Sequence, residues 1–232
     1  MRRVPCVLLA ASLAACVGDT PGDPDPNDDL ATAAIRVLHT VTDVPAIDVL
    51  VDGEVVLTAL AAGSASTFIP VADGARALAF RPTGGAGAVP AHTMTLAAGD
   101  SITVLTIDSA TVLNPWVLTD SGGVVPGNRS KLRALHFAEL APAIDIWRTQ
   151  PDWQTPITFM FPHGYREITP YMESDPGVWT VLVGTVQRVG GAPSLLDTLL
   201  LTGDVLVPAG ESRTVIVLDA PGGGLAYQVI TP

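Results

Sequence analysis

From Ile35 onward the apolar residues either alternate with polar ones or run in short β-branched blocks, and no stretch sustains a helical period. Ile47-Asp48-Val49-Leu50-Val51 leads into Asp52-Gly53 and out through Glu54-Val55-Val56-Leu57. Asp-Gly between two such runs predicts a hairpin with a type I′ turn, because both central residues must take positive φ. Further strands are predicted at 66–71, 75–81, 92–96 and 101–107, punctuated by turns at Asp73-Gly74, Gly84-Gly85 and Gly99-Asp100. Short strands at this spacing, with no helices between them, predict a sandwich or barrel.

The pattern is then repeated. At an offset of 97 residues, Arg36, Leu38, His39, Pro45, Ala46, Ile47 and Asp48 recur as Arg133, Leu135, His136, Pro142, Ala143, Ile144 and Asp145. That period is too long for a solenoid unit and suits a duplicated small domain. Gly74 corresponds to Gly177 at an offset of 103, and Gly99 to Gly210 at 111. The second copy therefore carries six extra residues before Gly177 and eight more before Gly210. The first insertion falls around 149–165 and holds Trp153, Phe159, Phe161 and Tyr165. Of the 4 Trp, 3 Tyr and 5 Phe, only Phe68, Phe80 and Trp116 precede residue 131.

The N-terminus departs from this β pattern. Arg2 and Arg3 precede an almost wholly apolar stretch, 4–15, that ends in Leu13-Ala14-Ala15-Cys16. It is too short to span a bilayer and has the form of a secretory signal. Small residues before a cysteine resemble the lipobox of bacterial lipoproteins. The resemblance implies cleavage after Ala15, acylation of Cys16 and, with Val17 where an Asp would favour the inner membrane, an outer-membrane address. Cys6 would leave with the signal, so the exported chain would have neither a disulfide nor a cysteine-based metal site. Residues 16–33, rich in Gly, Pro and Asp, cannot bury an apolar face and are expected to form an acidic, extended tether.

Charge narrows the partners. Removing Arg2 and Arg3 takes the net charge from −11 to −13, which argues against nucleic acid and anionic lipid surfaces. The expected contacts are the membrane through lipid on Cys16, and an envelope protein or glycan.

The segment from Arg36-Val37-Leu38-His39 through Pro45-Ala46-Ile47-Asp48-Val49-Leu50-Val51-Asp52-Gly53 resembles the domain-of-unknown-function 4397 family, whose members open with Arg-Val-x-His-Ala-Ser-Pro-Asp-Ala-Pro-x-Val-Asp-Val-Tyr-x-Asp-Gly. The first copy differs at Thr42, usually Pro, and at Leu50, usually Tyr. The second keeps His136, Pro142 and Asp145, replaces the Ser-Pro-Asp segment with Ala138-Glu139-Leu140, and has Trp147 at the Tyr position. The resemblance implies secreted or lipid-anchored β-sandwich domains, often in tandem. It carries no assigned activity and no catalytic residues.

The residues thus predict an all-β chain of two tandem Ig-like antiparallel β-sandwich domains, 34–126 and 127–232, after a lipoprotein signal at 1–15 and the tether at 16–33. His39 with Asp48, and His136 with Asp145, could form a His–carboxylate couple for acid–base work or a metal. No nucleophile recurs beside either pair, so a structural bridge is expected: the His bonded to backbone, the Asp capping the turn after Pro. The four His show no ligand spacing, Gly99-Asp100-Ser101 is no Gly-x-Ser-x-Gly elbow, and Thr83-Gly84-Gly85-Ala86-Gly87 lacks the Lys of a phosphate loop. No metal, cofactor or catalytic residue is expected. Trp147, Trp153, Phe159 and Tyr165 are the candidate binding residues, since aromatic rings offer large, rigid contact area.

Overall fold

Side chains on a strand point alternately to its two faces, so each apolar alternation becomes one buried face of a sheet. The computed structural model describes residues 32–86, 89–109, 112–119, 123–150, 157–158, 164–185, 188–189, 192–193 and 199–232. The expected signal, Cys16, all of the tether before Thr32, and Trp153, Phe159, Phe161 and His163 lie outside the described residues.

The first strands are β1 (Thr32–Leu38), β2 (Ala46–Val51), β3 (Glu54–Ala61), β4 (Ile69–Ala72), β5 (Gly74–Pro82), β6 (Ala91–Leu96), β7 (Ser101–Ser109) and β8 (Val112–Leu118). They build two sheets, ordered β4-β1-β7-β8 and β3-β2-β5-β6. Ile35, Val37 and Val104 of one sheet pack against Ile47, Val49 and Leu78 of the other in a shared core. Each such buried aliphatic side chain contributes roughly 1.5–3 kcal/mol.

The remaining strands are β9 (Ser130–Phe137), β10 (Ile144–Thr149), β11 (Ile157–Thr158), β12 (Met172–Ser174), β13 (Gly177–Thr185), β14 (Arg188–Val189), β15 (Ala192–Pro193), β16 (Leu199–Val207), β17 (Ser212–Asp219) and β18 (Leu225–Ile230). Two more sheets, β12-β9-β17-β18 and β11-β10-β13-β16, repeat the earlier strand order, with β14–β15 as a separate small hairpin. Their core joins Leu132, Ala134, Val215 and Val217 to Ile144, Ile146, Val181 and Val205. The described residues are all β, arranged as sandwiches.

Several local expectations can be read directly. Asp52 and Gly53 have φ of 52° and 85°, the two positive values of a type I′ turn. β1 begins at Thr32, two residues inside the expected tether. β8, absent from the predicted strands, is an edge strand that among the described residues pairs with β7, where the missing N–H of Pro115 is tolerated. Within otherwise antiparallel sheets, β1 and β7 pair in parallel, as do β9 and β17.

A third core decides how the sandwiches meet. The outward faces of β1 and β7 present Leu38, Leu105 and Ile107; those of β9 and β17 present Leu135, Phe137, Ile216 and Leu218. These faces pack together, so the four strands are apolar on both sides. Ala31–Pro232 consequently form one compact unit.

Candidate functional site at the junction of the sandwiches

The repeated His motif shapes the loops at one end of this third core. His39 directly follows β1 and is fully buried. Its Nε2 lies 2.9 Å from the Val44 carbonyl and its Nδ1 lies 3.1 Å from Thr106 Oγ1. A carbonyl only accepts, so Nε2 carries the proton and Nδ1 accepts a hydrogen bond from the Thr106 hydroxyl. That hydroxyl in turn accepts the Thr40 N–H at 3.0 Å. Both ring nitrogens are engaged, and burial lowers the His39 pKa below its ordinary value, against the opposing pull of the Val44 bond and the Asp43 charge. The ring is a neutral staple closing the 39–45 loop.

His136 repeats this with a change. Its Nε2 donates to Pro142 O at 3.3 Å, but residue 217 is a valine where the first copy has Thr106. Nδ1 accepts instead from the Ala138 N–H at 3.3 Å.

Asp48 is not among the groups bonded by His39. Its carboxylate accepts from Ala59 N–H at 3.1 Å, Thr83 Oγ1 at 2.9 Å and Arg81 at 3.2 Å. Burial alone would raise its pKa, but these bonds outweigh burial and lower it. Rather than capping the turn after Pro45, Asp48 anchors a bulge in β3 where Ala59 takes a φ of 54°. Asp145 occupies the matching place in β10, paired in register with Gly184 where Asp48 faces Arg81. Among the described residues no group of three or more His, Cys, Asp or Glu could hold a metal ion.

The two loops converge on a cleft of two adjoining hollows, about 430 and 250 Å³, which share Thr42, Asp43, Leu140 and Asp219. The larger hollow is mainly apolar, walled by Leu140, Pro142, Leu200 and Leu225. Leu140 is 82% exposed, an unusual position for a large aliphatic side chain beside a cavity. Asp43, Asp108, Glu139 and Asp219 surround the smaller hollow. Asp108 is ion-paired with Arg166, and Asp219 accepts the Leu140 N–H at 3.1 Å, fixing that loop.

Of the sequence-predicted aromatics, Tyr165 alone among the described residues lines this cleft. Its ring meets Phe137 edge-on at 6.1 Å and lies beneath the Arg166 guanidinium at 4.9 Å; burial raises its pKa. Trp147 is elsewhere, on the face of β10 opposite Ile144 and Ile146. It is 3% exposed, so in this structure its ring is not offered at the surface. The structure thus separates Trp147 from Tyr165.

Residues 33–147 match DUF4397, a domain of unknown function.

The DUF4397 match runs through the first pair of sheets and ends in β10 at Trp147, so it includes both copies of the His motif. A search of curated proteins finds no match. Among solved structures, a leucine-rich repeat protein from Bacteroides thetaiotaomicron is similar at 12% identity and a TM-score of 0.23, over 79% of this chain and 26% of that one. The Bacillus anthracis TIE protein is similar at 8% identity and a TM-score of 0.27, over 87% of this chain and 44% of that one. The chain therefore spans about a quarter and under half of those two proteins.

Sequence reasoning missed Leu140, Leu200 and Asp219 as cleft residues. One signal was available: Asp108 and Asp219 stand at the same offset of 111 as Gly99 and Gly210, at the ends of equivalent strands.

Proposed function

We propose that this chain is a lipid-anchored, non-catalytic binding module of the cell envelope, built from tandem DUF4397 domains, whose cleft takes a short basic peptide segment bearing an apolar side chain. The signal-like stretch 4–15 and Cys16 support outer-membrane anchoring, and the repeated motif with its repeated strand order supports tandem domains. The observation that carries the binding reading is exposed Leu140 between an apolar hollow edged by Asp43 and Asp219 and a smaller hollow lined also by Asp108 and Glu139. Such a surface rewards an apolar anchor flanked by Lys or Arg, and electrostatic complementarity would select the sign of the partner. A glycan would need stacking faces, and Tyr165 is the one predicted ring on this cleft among the described residues.

Fluorescence anisotropy with labelled Lys-Leu-Lys-Leu-Lys and Glu-Leu-Glu-Leu-Glu peptides tests this. The basic peptide is expected to bind with salt-sensitive affinity, and Leu140→Ser to weaken it about tenfold while barely affecting stability, since the side chain is exposed. Equal binding of the acidic peptide, or unchanged affinity in Leu140→Ser, would remove the proposal. Anchoring is tested separately: labelled palmitate is expected to enter the expressed chain, and label retained by Cys16→Ser would refute Cys16 as the lipid site.

A further inference from the structure

At the smaller hollow of the cleft the two pairs of sheets meet with equivalent residues. Asp108 and Asp219, at the offset of 111, both line it, as do Asp43 and Leu140, at the offset of 97. A contact between like faces is reciprocal, so a side chain that reaches across from one copy has a counterpart position that reaches back from the other. In one direction that side chain is Arg166, whose Nη2 donates to Asp108 Oδ1. Asn114 Nδ2 donates to the other oxygen, Asp108 Oδ2, at 2.6 Å.

In the other direction both donors are missing. The Arg166 N–H bonds the His136 carbonyl, and the His136 N–H bonds the Glu167 carbonyl. The Gly63 N–H bonds the His39 carbonyl in the same way, and the His39 N–H bonds the Ser64 carbonyl. Gly63 is therefore the counterpart of Arg166, at the offset of 103, and the two share a left-handed backbone, with φ of 74° and 69°. Asn114 is the register partner of Ile107 as Ala226 is of Leu218, so Ala226 is the counterpart of Asn114. Glycine and alanine thus stand on the Asp219 side where arginine and asparagine serve Asp108. A Cβ at Gly63 would meet no atom within 4 Å, so the path of the missing side chain begins in open space.

Asp219 is also the more deeply placed carboxylate, at 7% exposure where Asp108 is half-buried. Its Oδ2 accepts the Leu140 N–H, and among the described residues no cation pairs with it. A buried carboxylate without a cation is costly, and a ligand that brings one relieves that cost.

We propose that Asp219 is the cation-binding residue of the cleft and that it takes an arginine side chain of the bound peptide, which gives Asp219 the guanidinium that Arg166 gives Asp108. The proposal rests on the peptide reading above and names its specificity. Guanidinium is more weakly hydrated than ammonium, so arginine suits a buried carboxylate better than lysine does. Leu140, whose N–H holds Asp219, is itself the exposed apolar residue, so the cleft would read an arginine and an adjacent apolar side chain together.

Fluorescence anisotropy of the purified full chain tests it with labelled Arg-Leu-Arg-Leu-Arg, Lys-Leu-Lys-Leu-Lys and a peptide with citrulline, the neutral isostere, in place of arginine. The arginine peptide is expected to bind about tenfold tighter than the lysine peptide, and the citrulline peptide weakest of the three. Asp219→Asn keeps an acceptor for the Leu140 N–H and is expected to bring the arginine peptide down to the level of the lysine peptide. Gly63→Arg is expected to restore the missing guanidinium from within the chain and so weaken the arginine peptide about tenfold. Gly63→Asn, tolerant of the same backbone but short and neutral, is expected to leave it unchanged. Equal binding of the arginine and lysine peptides, or an unchanged preference in Asp219→Asn, would overturn the arginine assignment and leave the peptide reading standing. Binding of none of the peptides would remove the peptide reading and this assignment with it. Should Asp219→Asn fail to fold, the wild-type preference and Gly63→Arg decide it, full affinity for the arginine peptide in Gly63→Arg counting against the proposal.

Discussion

Replacing Phe137 with alanine is expected to lower the unfolding free energy by about 3–5 kcal/mol, the range for deleting a large aromatic side chain from a packed core. Phe137 is 1% exposed and belongs to the core between the sandwiches rather than to either sandwich's own. Its ring meets Trp116 of the first sandwich edge-on, with centroids 5.0 Å apart and planes at 62°, and it also abuts Tyr165. Urea denaturation followed by tryptophan fluorescence and by circular dichroism measures the effect. A loss under about 1 kcal/mol would show that the cavity collapses without cost, and hence that the interface is loosely packed. Phe137 also lines the smaller hollow of the cleft, so the same substitution is expected to reduce basic-peptide binding.

The second large effect is on acid stability. His39 is buried in its neutral form, and burial lowers its pKa in the folded chain. Above about pH 6.5 the ring is neutral in both folded and unfolded chains, and its staple is at full strength. As pH falls below that value the unfolded chain takes up a proton that the folded chain resists, so stability declines until the lowered folded pKa is reached. One such group contributes a slope of up to about 1.4 kcal/mol per pH unit. In His39→Gln this part of the slope is expected to vanish, and stability at pH 7 to fall by about 1–3 kcal/mol because Thr106 and the Val44 carbonyl lose a matched partner. Urea titrations of both chains between pH 4 and 7.5 would measure it (values on the order of the ordinary histidine range). An unchanged slope would mean that His39 is protonated equally in both states.

Much of the architecture was legible because strand periodicity and turn chemistry act locally. Asp52-Gly53 announced its turn since few residues tolerate positive φ in succession, and Ile47, Val49 and Val51 announced a buried face by alternation. The recurrence of Arg36, Leu38, His39 and Asp48 at an offset of 97 was equally plain, and the His39 and His136 rings meet the Val44 and Pro142 carbonyls. β8 was less legible because Pro115 obscures a strand that survives only at an edge.

The cleft was not legible, for a different reason. The stretches Val104-Leu105 and Val215-Ile216-Val217-Leu218 are apolar without alternation, which signals strands covered on both faces. Nothing in that pattern names the covering surface. Leu140 looked like an ordinary loop residue, and only the fold sets it beside Leu200 and Asp219; Trp147, a candidate binding ring with a core position as its alternative, is buried in β10. Periodicity and turn chemistry therefore determined the all-β elements, because those depend on neighbours a few residues away. The tertiary structure alone decided that one apolar face of each copy would pack against the other, because that contact depends on matching surfaces almost a hundred residues apart. By doing so it brought the loops of the cleft together at one end.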